Sequence, residues 1–424
     1  RTRGAWPDAS ASGARTTVSY CRRMKPLDGI KVLEFSTMIT ASFAAMMLAE
    51  QGAEVIKVEP LELGDPMRYL GSTKGGMSAL FANCNHGKRS IRIDKKKDEG
   101  RQIVENLARD TDIVLTNYRP GVMDGLGLGS EHLRSLNPRL IYVGITGFGL
   151  EGPSKGAPAY DPIIQAQTGF AAVQGQGQDD GPQFMRSLMC DKITAYTACQ
   201  SVMTALFTRE RTGDGQHIDL SMMDSALYFI FPDGFMHHTL LDDDVVEQPP
   251  LSEMLYDLTE TSDGGVTVSA ATPAQQVGLL TAIERLDLFA DERFDSMEKI
   301  VANLDEFRNE MKTSMGQFST DDLLRRLDEG DVPAARPLDY PEVLAHPQYA
   351  ANDSHAVVEH ASMGSMVRVK PPARFGGERT APAGDAPLHG QHTVEILEQA
   401  GRSADQVAAL MDAASIAADA DGAY

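Results

Sequence analysis

The chain has 424 residues, 42% hydrophobic and 23% charged, which suits a soluble globular protein with room for two domains or one elaborate one. Its formal net charge of −21 argues against a general nucleic-acid or anionic-membrane binder, yet leaves room for a small polyanion held by a few local cations. No apolar run approaches the roughly 20 residues that span a bilayer. The four cysteines (Cys21, Cys84, Cys190 and Cys199) form no CxxC pair, which argues against a zinc site or a disulfide framework and suits a reducing, cytoplasmic compartment. The histidines are scattered, and the adjacent His237–His238 would face opposite sides of a strand, so no metal centre is expected.

Residues 1–23 carry five Arg and one acid with little apolar periodicity. They read as a transit peptide or, in preference, as a non-native or disordered extension upstream of Met24. From there strands and helices alternate. "IKVLEFS" (30–36), "AEVIKVE" (53–59), "KRSIRID" (88–94), "DIVLTN" (112–117) and "LIYVGITGFG" (140–149) read as strands. Between them "ASFAAMMLAEQG" (41–52), "EGRQIVENLARD" (99–110) and "SEHLRSLN" (130–137) read as helices, the first ended by Gly52. This alternation predicts right-handed crossovers and a Rossmann-like, mainly parallel sheet. The first turn is "STMITAS" rather than GxGxxG, so a dinucleotide site is not supported.

A second region begins near 225. The acidic, Pro-containing "LLDDDVVEQPPLSEM" suits a linker, and "GGVTVSAATPAQQVGLLTAIERL" then gives a short strand and a helix of a smaller α/β unit. The expected organisation is therefore a large domain from 24–224 and 340–424, with a small domain inserted at 225–339. The last helix is "HTVEILEQAG".

Ligands of open α/β sheets sit beyond the carboxyl ends of the strands. There "NYRPGVMDGLGL" supplies Asn117, Tyr118 and Arg119, an aromatic beside a cation that suits an adenine ring and a phosphate. "HGKRSIRIDKKK" (86–97) reverses the local charge, as a solvated strand edge or as a phosphate-facing strand. Tyr160 and Asp161 precede Pro162 and are expected to be extended or in a turn. In "MRSLMCDKITAYTACQSVMTALFTRE" (185–210), Ile193, Ala198, Val202 and Leu206 mark one helix face, and Asp191 stands at its mouth as a candidate N-cap.

The order "LDGIKVLEFS", "GAEVIKVE", "GDPMR", "NHGKRSI", "LTNYRPGVMDGLGLG", "LNPRLIYVGITGFG", "GPSKGAPAYDPIIQAQTG", Asp191 and "ERTGDGQHIDLSMMDSAL" resembles the class III CoA-transferases. These include formyl-CoA and carnitine CoA-transferases and are related to α-methylacyl-CoA racemase. The likeness is strong over about 24–230 and resumes at "DVPAARPLDYPEVLAHPQYAAN". It implies that Asp191 is the nucleophile. It also implies CoA contacts at Ile39 and Thr40, at Pro60, from Ile93 to Lys96, from Asn117 to Arg119, and around Pro158, Tyr160 and Asp161. Some members carry Gln and a basic residue where this chain has Ile39 and Pro60, which leaves Lys96 and Arg119 as the phosphate cations.

The implied reaction moves CoA from an acyl-CoA donor to a carboxylic acid through an aspartyl anhydride and an aspartyl-CoA thioester. It uses acyl-CoA as substrate, no permanently bound cofactor and no metal, and it implies an interlocked homodimer with no nucleic-acid or membrane partner. A helix N-terminus would keep Asp191 ionised. One alternative is a racemase, but the racemases place His–Asp where this chain has Tyr160–Asp161, and neutral tyrosine is a weak base near pH 7. The other is a non-catalytic acyl-CoA-binding protein, against which the presence of Asp191 argues.

Overall fold

The five apolar, β-branched runs and the segment "HIDLS" form six parallel strands: β1 (Lys31–Phe35), β2 (Glu54–Glu59), β3 (Lys88–Ile93), β4 (Ile113–Thr116), β5 (Ile141–Thr146) and β6 (His217–Ser221). In the computed structural model, which describes residues 25–175, 181–242, 244–246, 256–380 and 384–418, they lie in the order β3-β2-β1-β4-β5-β6. A short seventh strand, β7 (Ile416–Ala417), adds antiparallel to β3, with Ile416 opposite Ile93. The expected Rossmann-like order is therefore present, with its reversal between β1 and β4. Phe35 and Thr116 form the last register pair there, and beyond them the two chains part. The expected extension at 1–23 lies outside the described residues.

One face of the sheet is covered by α1 (Thr40–Glu50), α5 (Met189–Thr212) and α6 (Met222–Gly234), the other by α2 (Asp98–Arg109), α3 (Ser130–Leu136) and the C-terminal helices Thr393–Gln399 and Ala404–Asp412. A short α4 (Asp161–Gln167) packs beside α5. The contact of α1 with α5 is lined by Ala41, Ala44, Ala45 and Ala49 against Ala195, Ala198 and Ala205, all buried. Small side chains let two helices approach closely, so the N-terminal turns of α1 and α5 meet at the crevice. Gly52 ends the loop after α1 at φ +111°, a conformation that only glycine adopts readily.

A separate core, with Val266, Leu280, Ile283, Phe294, Leu323 and Leu327, holds a small body around the short strands Thr259–Glu260, Gly265–Val268 and Ala334–Ala335. Its sheet is antiparallel throughout. The large-body core runs past the expected boundary at 225, because α6 continues through it with Ser225 and Ala226 buried. His237 and His238 fall in a 3₁₀ turn after α6, not on a strand. The return through the hairpin His355–His360/Gly364–Val369 places Met363 on Ile39, Met67, Met77 and Phe81. The helix Ala404–Asp412 and β7 then complete the large body, two elements that were not expected after the last predicted helix.

Candidate active site

Where β1 and β4 part, a cavity of about 490 Å³ opens at the switch point of the sheet. Asn117 clamps its two sides, donating from Nδ2 to Thr37 O at 2.7 Å and accepting the Thr37 N–H on Oδ1 at 3.1 Å. Gly147 follows β5 on the wall, where a Cβ would run into the Ala159 methyl, so the loops after β5 and before α4 approach without a side chain between them.

Asp191 lies on the cavity wall, 9% exposed. It is not the N-cap. Leu188 takes that place with no side-chain cap, and Asp191 is the third residue of α5. Its carboxylate is free for another partner: Thr40 Oγ1, in the first turn of α1, donates to Asp191 Oδ1 at 2.7 Å. The open backbone N–H of Asp191 is capped from another helix, by Asp161 Oδ2 at 3.0 Å. Asp161 in turn accepts from Gln165 Nε2 at 2.6 Å, and Gln165 holds the approach to α5 through Met185 O, Ser187 O and the Met185 N–H. Tyr160 is extended as the N-cap of α4, whereas Asp161, the residue directly before Pro162, is already the first helical residue.

Burial pushes the Asp191 carboxyl up to about 6, with Asp161 adding to the rise and the Thr40 hydroxyl and Lys192 opposing it. Two helix N-termini face it, so the dipoles favour the anion. Desolvation outweighs them. Asp191 is thus an ionised carboxylate at neutral pH, yet one held less comfortably than a solvated carboxylate.

Of the residues singled out from the sequence, the structure brings Thr40, Asn117, Tyr118, Arg119, Pro158, Tyr160, Asp161 and Asp191 to this one cavity. Four others are placed elsewhere. Ile39 is buried against Met67 and Phe81, and Ile93 is in the core behind the sheet. Pro60 is exposed, its carbonyl accepting from His389 Nε2 at 2.9 Å. Lys96 points to solvent, whereas its neighbour Lys95 is buried with its ammonium 5.9 Å from the Tyr118 ring. The burial that pulls Lys95 down to about 8 is only partly offset by Glu59 and Asp94.

The basic strand is not phosphate-facing along its length. Lys88 is buried against Glu34 at 2.7 Å, Arg89 reaches Glu395 and Gln399, and Lys97 donates to Ala413 O. Within the span from Ile93 to Lys96 sequence reasoning settled on Lys96 rather than the buried Lys95, and it missed Gln165 and the buried charges Glu34, Lys57 and Asp65. The sequence signal for Glu34 and Lys57 was charge inside apolar strands, in "VLEF" and "VIKVE".

The sequence model of CoA-transferase family III matches residues 27–393. The chain belongs to CoA-transferase family III. As a family III CoA-transferase it is similar to an acyl-CoA transferase of Fusarium pseudograminearum, 31% identical over 90% of this chain and 86% of that one. It is also similar to a succinate–glutarate CoA-transferase of Agrobacterium fabrum, 30% identical over 89% and 96% of the two chains. Among solved structures, a CAIB/BAIF family protein from Brucella suis superposes with a TM-score of 0.77, at 30% identity over 89% of this chain and all of that one. The chain is accordingly an enzyme of the CoA-transferring kind.

Proposed function

We propose that the protein transfers CoA from an acyl-CoA to a carboxylic acid through covalent intermediates on Asp191. The observation that carries this reading is the buried carboxylate of Asp191 on the cavity wall, oriented by Thr40 at 2.7 Å and pinned through its N–H by Asp161 at 3.0 Å. An Asp191 oxygen attacks the thioester carbonyl, the C–S bond breaks, and CoA thiolate leaves a mixed anhydride. The thiolate attacks the aspartyl carbonyl, expels the donor carboxylate and forms an aspartyl-CoA thioester. The acceptor carboxylate then attacks that thioester, and the steps run in reverse with the new acid. Each step exchanges one activated carboxyl for another, so no net proton transfer, ATP, metal or permanently bound cofactor is called for.

A solvated carboxylate is a poor nucleophile toward a thioester because water stabilises its charge. Burial removes part of that hydration, and the raised pKa records the loss. Thr40, Asn117, Tyr118, Arg119, Pro158, Tyr160 and Asp161 are read as the CoA-side wall. Neither Lys95 nor Lys96 lines the cavity, but Lys95 lies nearer it, its ammonium 5.9 Å from the Tyr118 ring, while Ile39, Pro60 and Ile93 do not line the cavity either. Asp161 supports Asp191 as well as lining the wall, since both its oxygens accept hydrogen bonds.

The reading includes an interlocked homodimer in the cytoplasm, with no nucleic-acid or membrane partner. The exposed Tyr196 and Phe207 of α5 and Tyr228 and Phe231 of α6 support the dimer as an apolar face for a second copy. Among the described residues no helix is long and apolar enough to cross a membrane, and Cys84, Cys190 and Cys199 are free thiols. The domain reading becomes a large body closed by the C-terminal return and a small body with its own core. The test is chemical: incubation with an acyl-CoA and hydroxylamine should place a hydroxamate on Asp191. Modification of Asp161 or Asp224 with Asp191 untouched would sink the assignment.

A further inference from the structure

Met38 lies on the cavity wall at φ +61°, in the left-handed region that residues with a Cβ avoid. It stands two residues before Thr40, the donor to Asp191. Its partner is Asp65, whose Oδ1 accepts the Met38 N–H at 3.1 Å and the Met67 N–H at 3.0 Å. Asp65 is fixed in its turn. Its own N–H donates to Glu59 Oε2 at 3.0 Å, and its Oδ2 lies 3.0 Å from Lys57 Nζ. Lys57 reaches Glu34 Oε1 at 2.6 Å, Ser36 Oγ at 3.0 Å and Ser42 Oγ at 3.1 Å. Asp65, Lys57 and Glu34 are withdrawn from solvent. One buried cluster therefore grips the β1–α1 turn at Ser36, Met38 and Ser42, with Thr40 between them.

We propose that Asp65 is a positioning residue for the transfer reaction: it holds Met38 in the left-handed conformation and so sets the first turn of α1 where the Thr40 hydroxyl meets Asp191. The proposal rests on Asp191 being the reacting carboxylate. The groups facing that carboxylate are Thr40 from α1, Asp161 from α4, and Lys192 on α5 itself. If Thr40 is displaced, burial and the Asp161 charge act on Asp191 with only Lys192 opposing them. Asp191 then titrates higher. Asp65→Asn has this effect because its one carbonyl oxygen must choose between Lys57 and the Met38 and Met67 N–H groups, and either choice sets the amide NH₂ against a donor and loosens the grip on Met38.

The experiment is a carboxyl titration of the full chain, labelled with ¹³C at the aspartate carboxyls, with Asp191 assigned by its loss in Asp191→Asn. Expected are a midpoint near 6 in the wild type and a rise of about half a unit or more in Asp65→Asn and in Thr40→Val. The variant carrying both changes should rise no further than Thr40→Val alone, because the two act through one contact. Adding Met38→Gly to Asp65→Asn should return the midpoint toward the wild type, since glycine accepts φ +61° unaided. A folded Asp65→Asn that titrates as the wild type, an additive rise in the double variant, or no rescue by Met38→Gly overturns the proposal. Should Asp65→Asn not fold, Asp65→Glu keeps the charge for Lys57 but moves the oxygen off the Met38 N–H, and the same rise is expected. The titration needs no turnover. A wild type that moves no CoA would sink the functional reading, whereas an unmoved midpoint would sink only the role of Asp65.

Discussion

Beneath the carboxyl edge of the large sheet, Lys57 meets Glu34 at 2.6 Å and Asp65 at 3.0 Å, and Arg68 meets Glu59 at 2.6 Å, all but hidden from solvent. In the small body Arg285 reaches Glu310 at 2.9 Å, Arg293 reaches Glu306 at 3.0 Å and Arg326 reaches Glu284 at 2.8 Å, from positions open to water. The distances are alike and the consequences differ. Water already solvates the small-body charges, so each pair adds little and is screened by salt. The buried charges have, in place of water, one another and a few hydroxyl and backbone groups, and each fixes the geometry of the next. Among these pairs, charge fixes placement beneath the large sheet and stays in contact with water in the small body.

Asp191→Asn gives the largest effect and tests whether the buried side of this contrast is chemical as well as structural. The amide keeps the size and an acceptor for Thr40 but cannot form the anhydride, so CoA transfer should fall by several orders of magnitude. Its effect on stability has the opposite sign. The folded carboxyl titrates near 6, above its ordinary 3.8, so its favourable contribution is present below 3.8 and lost as pH rises through 6. The variant should melt higher than the wild type at pH 8 and equally at pH 4, as read by calorimetry. Rapid deuterium uptake at Cα of a 2-methylacyl-CoA by the wild type, with no CoA moved to any acid, would favour the racemase chemistry instead.

Lys57→Met comes next. Removing one member leaves Glu34 and Asp65 buried and underpaired, a loss of about 3–5 kcal/mol in denaturant unfolding. Burial would raise the Glu34 carboxyl, yet Lys57 and Lys88 hold it down to about 2 from an ordinary 4.5. Its contribution is therefore present above 4.5 and lost as pH falls through 2. The acid-unfolding midpoint of the wild type should lie below that of Lys57→Met. A variant as stable as the wild type would remove the basis of the contrast.

Arg119→Ala addresses the cavity rim, where the proposed function sets a charge against a CoA phosphate. Loss of one phosphate contact should weaken CoA binding by roughly 1.5–3 kcal/mol in calorimetry, with the melting temperature unchanged. Lys95→Met should weaken binding similarly and Lys96→Ala less. The reverse order would restore Lys96 as the anchor. Arg293→Ala should do least: a shift in melting temperature of no more than about a degree, further reduced by salt. A shift as large as that of Lys57→Met would contradict the comparison.

Much of the large body was legible because its strands are short runs of Val, Ile and Leu punctuated by Gly52 and Asn117. β6 and β7 escaped, the one reading as "HIDLS" and the other only two residues long, since edge strands bury too little to carry a strong pattern. Asp191 was found from its place at a helix start, but its role as third residue rather than cap depended on where Leu188 turned the chain. The charge run at 86–97 misled for a related reason. Lys88 and Lys95 are buried while Lys96 is not, and alternation along the chain does not say which cations have partners across the sheet.

By itself the sequence determined the alternation of strands and helices, the parallel sheet and the positions of Asn117, Arg119 and Asp191 at element ends. Those follow from local periodicity and capping, which act over a few residues. The tertiary structure decided that Thr40 meets Asp191 across 151 positions of chain, that Asp161 caps a helix not its own, and that Asp65 holds Met38. Those contacts depend on how closely α1 and α5 pack and on which charges are denied water, and both are properties of the closed core rather than of any segment.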